Sequence, residues 1–252
     1  LDELVETGFE DILVVDYGSG PAYASIFGDA AMRPGCTVLT HPENKGKGAA
    51  IKTAIRYHLG GANRGFGVVT ADCDGQHCAE DVAKVCGALQ AGNDALVLGS
   101  RNFGKDTPQR SAMGNKATSI AMRLLYDIRL EDTQTGLRGI PASMLPAMET
   151  LRGDRYEYEL NMLIYAKQKC IPFKLVPIRT IYFNNKQGSH FRTVPDAARL
   201  VGQMARGLVQ YLAASRPAAA RGAQHTHTGS FLSPCSGFQS KYAGCPLRGP
   251  PP

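Results

Sequence analysis

"VVTADCDGQH", residues 68–77, runs from β-branched apolar residues straight into Asp72 and Asp74, then Gly75, Gln76 and His77. Buried strands end in paired carboxylates where something positive is to be held. Two aspartates one residue apart at a strand mouth can reach one hard cation, and Mg²⁺ or Mn²⁺ takes oxygen ligands while leaving places for substrate phosphates. Gln76 offers a neutral oxygen two positions on, and Gly75 allows a tight turn. The competing reading spends one aspartate as a cap on the helix expected from Ala79. Cys73, between them, reads as a small buried filler.

Outward from this stretch the chain alternates. Short apolar runs at Ile12–Val15, Thr37–Leu39, Gly67–Ala71, Ala95–Gly99, Lys174–Pro177 and Thr180–Phe183 read as buried strands. Helical patterns cover Gly48–Leu59, Ala79–Ala91, Arg110–Tyr126 and Tyr156–Lys169. Such alternation predicts an α/β domain, with a Rossmann-like, mostly parallel sheet flanked by helices. Ligands of these sheets lie beyond the carboxyl ends of the strands, where Asp16, Asp72, Asp74 and the Ser100–Arg101 pair fall. "LDELVETG" reads as the last turns of a helix and a turn at Gly8.

Composition is that of a globular protein, 43% hydrophobic and 20% charged over 252 residues. No apolar run approaches the ~20 residues that span a bilayer, and no signal-peptide pattern opens the chain, so the expected compartment is the cytoplasm. Seven scattered cysteines without a CxxC pair argue against a disulfide framework and a structural zinc site. A net charge of +6 suits an anionic partner. No nucleic-acid module accompanies it, and a nucleic-acid role is not expected.

"HPENKGKGAAIKTAI", residues 41–55, sets glycines, Lys45 and Lys47 before a helix, a pattern suited to an anion. Walker and dinucleotide fingerprints are absent from the chain, which disfavours P-loop NTPases and Rossmann dehydrogenases. Pro195–Leu212 places Leu200, Met204, Leu208 and Leu212 at helical spacing, read either as a helix packed on the domain or as one lying on a membrane surface. From 214 to 252 the chain is rich in Ala, Gly, Pro and Ser without periodicity, and is expected to be disordered.

Seven motifs in order, "VVDYGSG", "NKGKGAAIKTA", "TADCDGQH", "VLGSRNF", "QRSAMGNKATSIAMRLLY", "DTQTGLRGI" and "RYEYELNML", resemble family 2 glycosyltransferases. The likeness is greatest to the dolichol- and polyprenol-phosphate sugar transferases, and covers roughly residues 1–195. It implies the GT-A fold and a metal-dependent, inverting transfer of a sugar from a nucleotide-diphosphate sugar to a polyprenyl phosphate at the cytoplasmic face of a membrane. Residues 196–213, beyond the resemblance, are read as a C-terminal helix that either packs on the domain or lies on that surface.

By position, Asp72, Asp74 and Gln76 match the metal ligands for Mg²⁺ or Mn²⁺, with Asp74 counted among the catalytic residues. Asp16 matches a nucleoside contact, and Lys47 lies in the loop lining the nucleotide pocket. Arg101, Arg110 and Arg192 match phosphate-binding cations, whose bland alternative is a surface salt bridge. Asp132 of "DTQTGLR" falls on the acceptor side. Glu157 of "RYEYE" is the expected base if the acceptor is a hydroxyl of a polysaccharide or peptide; a phosphate acceptor needs none.

Two departures stand out. Tyr17 occupies a position where relatives carry a second nucleoside-contacting Asp. Relatives also begin with a strand that lies centrally, between the counterparts of Ile12–Val15 and Gly67–Ala71, and this chain starts after it. The expectation is that the sheet closes up or that a longer parent is represented in part, and a third reading is a truncated relative that binds nucleotide weakly or not at all.

Overall fold

The computed structural model describes residues 1–61, 65–92, 94–101, 109–179 and 181, the side chains of 109–113 excepted. All of them belong to one unit spanning Leu1–Tyr211. The helix expected over Pro195–Leu212, the tail from 214, and all of Thr180–Phe183 except Ile181 lie outside the described residues.

Helix α1 (Asp2–Glu6) leads through a turn at Gly8 into β1 (Ile12–Asp16), then α2 (Ala24–Ala31) and β2 (Cys36–Thr40). Next come α3 (Lys47–Gly60), β3 (Gly67–Thr70), α4 (Ala79–Gln90), β4 (Leu96–Arg101) and α5 (Gln109–Tyr126). Strand β5 (Arg138–Pro141), α6 (Leu145–Thr150), α7 (Glu157–Gln168) and β6 (Phe173–Ile178) complete the described elements. The expected strands and helices form within a residue or two of their predicted bounds wherever the chain is described, except that Ile181, the one described residue of Thr180–Phe183, is not in a strand.

The strands make two sheets. β1 and β2 pair in parallel, from Ile12 opposite Cys36 to Asp16 opposite Thr40. The other sheet has the order β3-β5-β4-β6. β5 runs antiparallel to β3 and β4, whereas β4 and β6 are parallel, so β3, β4 and β6 share one direction around a single reversed strand. β1 is not hydrogen-bonded to β3, so among the described strands the sheet has not closed into one.

β4 shows why the apolar runs formed strands. Leu96 and Leu98 enter a core with Ile55, Met122, Tyr126, Ile140, Met148, Tyr158 and Leu163. Val97, on the opposite face, enters a second core with Val82, Val85, Leu89, Leu137 and Ile178. A strand covered on both faces reads as a continuous hydrophobic run. The reversed strand fits between its neighbours because Gly139, paired with both Val69 and Val97, has no side chain: a Cβ there would lie 3.1 Å from Val97 Cβ. β1 ends on Asp16, β4 on Arg101, and β3 two residues before Asp72.

Candidate active site

Beyond β3 the backbone turns at Gly75, whose φ of 80° is open to glycine at no steric cost. Asp74 Oδ1 accepts the Gln76 N–H at 3.1 Å, closing the turn. α4 is capped at Cys78 without any side-chain bond, so neither aspartate is spent on that helix. Cys73 is exposed, which corrects the buried filler expected there: in-and-out alternation ends with β3, and the turn carries the thiol outward.

Asp72 faces a cation. Lys47, the first residue of α3, lies 2.6 Å from Asp72 Oδ1 and 3.0 Å from Glu159 Oε1. Burial works against the ammonium, but the Glu159 and Asp72 carboxylates outweigh it and hold its pKa above the usual lysine range. The loop reaches this position because Gly46 and Gly48 let α3 start against the Asp154–Tyr158 backbone: a Cβ on Gly48 would lie 2.6 Å from Tyr158 Cβ.

Behind this pair sits Arg138, 1% exposed, which donates to the carbonyls of Thr135 (2.9 Å), Glu159 (2.6 Å) and Thr133 (3.2 Å). Its guanidinium lies 3.9 Å from Glu159 Oε1. Burial pulls its pKa down, opposed by Glu159, Asp132 and Asp72.

Arg101 and Asp132 form a fork. Nε and Nη2 of Arg101 donate to Asp132 at 2.7 and 2.9 Å, and the Asp132 carboxylate also accepts the backbone N–H groups of Arg101 and Gln134. The Asp132 side chain is wholly buried. Asn115 on α5 ties the same loop down, donating to the Glu131 carbonyl and accepting the Thr133 N–H at 3.1 Å. The loop then passes over Asp72: a Cβ on Gly136 would sit 2.6 Å from Asp72 Cγ. The "DTQTG" turn is therefore a wall of the Asp72 site, a link that spacing alone did not reveal.

At the end of β1, the Asp16 carboxylate accepts the N–H groups of Gly18 (3.1 Å) and Ser19 (2.8 Å). Burial opposes its charge, but those donors prevail and keep its pKa below the usual carboxylate range. Tyr17 is 41% exposed. Its phenol pKa is raised by partial burial, then by Tyr156 and Asp72. Glu157 Oε1 accepts the Asp154 and Arg155 N–H groups at 3.2 and 3.3 Å, so it closes the start of α7. The Arg110 side chain and Arg192 lie outside the described residues.

Thus Asp72 and Lys47 meet directly, as do Arg101 and Asp132. Arg138, Gly136 and His77 join them without having been assigned a role, as does Glu159, the second acid of "RYEYE". His77 is within electrostatic reach of Asp72, Asp74, Arg101 and Lys47, and burial lowers its pKa against the pull of the aspartates. Among the described residues no three His, Cys, Asp or Glu side chains converge into a closed metal cage. Asp72 and Asp74 present hard carboxylate oxygens, the donor type a divalent cation such as Mg²⁺ or Mn²⁺ takes.

The model of "Glycosyl transferase family 2" matches residues 3–145. An uncharacterized protein of Methanocaldococcus jannaschii is 32% identical over 72% of this chain and 74% of its own length. A UDP-N-acetylglucosamine–dolichyl-phosphate N-acetylglucosaminyltransferase of Methanococcus voltae is 37% identical over 57% of this chain and 59% of its own length. The polyprenol monophosphomannose synthase of Mycolicibacterium smegmatis is 29% identical over 72% of each chain. Among solved structures, glucosyl-3-phosphoglycerate synthase of Mycobacterium tuberculosis in complex with UDP superposes with a TM-score of 0.56 at 18% identity, over 82% of this chain and 74% of that one. The same enzyme with Mn²⁺ and UDP-glucose gives a TM-score of 0.53 at 18% identity, over 84% and 73%. These neighbours carry the GT-A fold.

Proposed function

Since the chain belongs to glycosyl transferase family 2 and is a glycosyltransferase of GT-A fold, we propose that it moves a sugar from a nucleotide-diphosphate sugar to a polyprenyl phosphate. The observation that carries this reading is the Asp72–Lys47 contact at the end of β3, with the Arg101–Asp132 fork and Arg138 beside it. Mixed charge of this kind, at the carboxyl ends of strands, suits a diphosphate together with a cation. The names of the relatives from Methanococcus voltae and Mycolicibacterium smegmatis favour a lipid phosphate as acceptor.

In this reading Asp16 holds the nucleoside and Lys47 and Arg101 meet the diphosphate, with Arg110 and Arg192 as further phosphate contacts. Asp132 keeps the Arg101 fork aimed into the site. Mg²⁺ or Mn²⁺, held by Asp72, Asp74 and Gln76, would supply charge neutralisation on the departing nucleoside diphosphate. An acceptor phosphate oxygen attacks the anomeric carbon from the face opposite the donor's phosphate; the C–O bond to that phosphate breaks, inverting the centre. The nucleophile is already anionic, so no base is needed, and Glu157 stays with the start of α7. No helix among the described residues is long and apolar enough to cross a membrane. We propose that the enzyme works at the cytoplasmic face as a peripheral protein.

The test is to incubate the full chain with Mn²⁺, a panel of UDP- and GDP-sugars and a short polyprenyl phosphate. Nucleoside diphosphate and a sugar-phosphate lipid should appear together, and Asp74→Ala should lower the rate by about 10²-fold or more. Product formed on hydroxyl acceptors but not on the lipid phosphate, and abolished by Glu157→Gln, would transfer the assignment to polysaccharide or peptide glycosylation. No turnover, and no stabilisation by UDP or GDP with Mn²⁺, would leave an inactive relative.

A further inference from the structure

Glu159 is buried, and a buried carboxylate needs a partner or it is costly to keep ionised. Arg138 stands 3.9 Å away but is already bonded to the carbonyls of Thr133, Thr135 and Glu159 itself. The close partner is Lys47, at 3.0 Å, and that ammonium is also 2.6 Å from Asp72. One cation thus serves two carboxylates on different elements: Glu159 inside α7 and Asp72 in the turn after β3.

A divalent cation arriving at Asp72 meets Lys47 already on that carboxylate. Lys47 can yield Asp72 without being left unpaired, because Glu159 holds it from the other side. We propose that Glu159 is a positioning residue that retains Lys47 in the site when a divalent cation takes Asp72, and thereby sets how tightly the site holds that cation. The proposal rests on the reading that Asp72 and Asp74 bind the cation. Without the Glu159 charge, Asp72 is the one close carboxylate left to Lys47 among the described residues, and Lys47 competes for it fully.

The experiment is a Mn²⁺ titration of the full chain, followed by loss of the free aquo-ion EPR signal, with a thermal scan of each variant. Glu159→Gln preserves shape, so a purely structural role predicts unchanged Mn²⁺ affinity. The expected result is binding about tenfold weaker, the scale of one charge-assisted contact. Lys47→Met should bind Mn²⁺ more tightly than wild type. The double variant should return to at least the wild-type affinity, because the competitor is gone.

A simple field effect of the lost charge would instead weaken binding equally in the K47M background, and the double-mutant cycle separates the two. Glu159→Gln binding Mn²⁺ as well as wild type, or the double variant binding as weakly as Glu159→Gln, overturns the proposal. If Glu159→Gln does not fold, Lys47→Met decides: affinity equal to or below wild type overturns it. A wild type that binds no Mn²⁺, or binds it unchanged after Asp72→Asn and Asp74→Asn, removes the metal reading and this proposal together. Loss of binding in those two with no effect at Glu159 removes this proposal alone.

Discussion

Replacing Gly136 by alanine tests the claim that the "DTQTG" turn and the Asp72 site share a wall. The added methyl would sit 2.6 Å from Asp72 Cγ, well inside van der Waals contact. The turn cannot retreat easily. Thr135 and Leu137 on either side have no exposed surface, and Arg138 is bonded to the carbonyls of Thr133 and Thr135. Asp72, with a third of its side chain exposed, is the softer partner and is the group that moves. A shift of about 1 Å breaks its 2.6 Å contact with Lys47 and, if Asp72 holds the cation as proposed, misplaces a ligand, which at a reacting centre costs about 10²-fold in rate. Overpacking adds a stability loss of about 1–3 kcal/mol.

The assay pairs kcat/KM for sugar transfer and Mn²⁺ affinity with the unfolding free energy from urea titration. Gly87→Ala is the control: its methyl meets nothing within 4 Å inside α4. That change should stabilise the protein by about 0.8–1 kcal/mol and leave catalysis alone. Gly136→Ala with wild-type kcat/KM and wild-type Mn²⁺ affinity would refute the shared wall.

Asp132→Asn should lower stability by about 3–5 kcal/mol, because the buried Arg101 fork loses its counter-charge. It should also raise KM for the donor; an unchanged urea midpoint would contradict the buried pair. Asp16 has a folded pKa below its unfolded value of about 3.9, so its contribution is fully present above that value and is lost as pH falls through the folded pKa. Asp16→Asn should therefore be less stable than wild type at pH 6, and the gap should narrow as the pH falls below the unfolded value toward the folded pKa. Equal stability of the two at pH 6 would show that the Gly18 and Ser19 donors do not act on that charge.

The strands were readable where burial on both faces wrote an unbroken apolar run, as in β4. β5 was not, because "RGIP" contains one aliphatic side chain, a glycine that must be small and an arginine that looks solvated. Its strand character comes from the slot between β3 and β4, which no local window contains. The same limit divides the site. Asp72 and Asp74 announce themselves by ending a hydrophobic run. Glu157 and Glu159 are two apart on a helix, so their side chains point about 200° away from each other. One closes the start of α7 and the other enters the site, yet Tyr158 and Leu160 are buried as well, and no amphipathic pattern tells the two acids apart. Only the packing of α3 on α7 identifies which one meets Lys47.

The separation of the two sheets has a consequence for motion. Among the described residues β1 and β2 form a two-stranded ribbon whose residues are mostly only partly buried, while β4 has a neighbour on each side and buries its first four residues. Paired strands with one partner each are marginal on their own, and such segments exchange their amide hydrogens through local opening rather than global unfolding. Asp16 rides on the ribbon, whereas Arg101 and Arg138 belong to the four-stranded sheet. Asp16 thus sits on the segment expected to open first, and Arg101 and Arg138 on the one expected to open last.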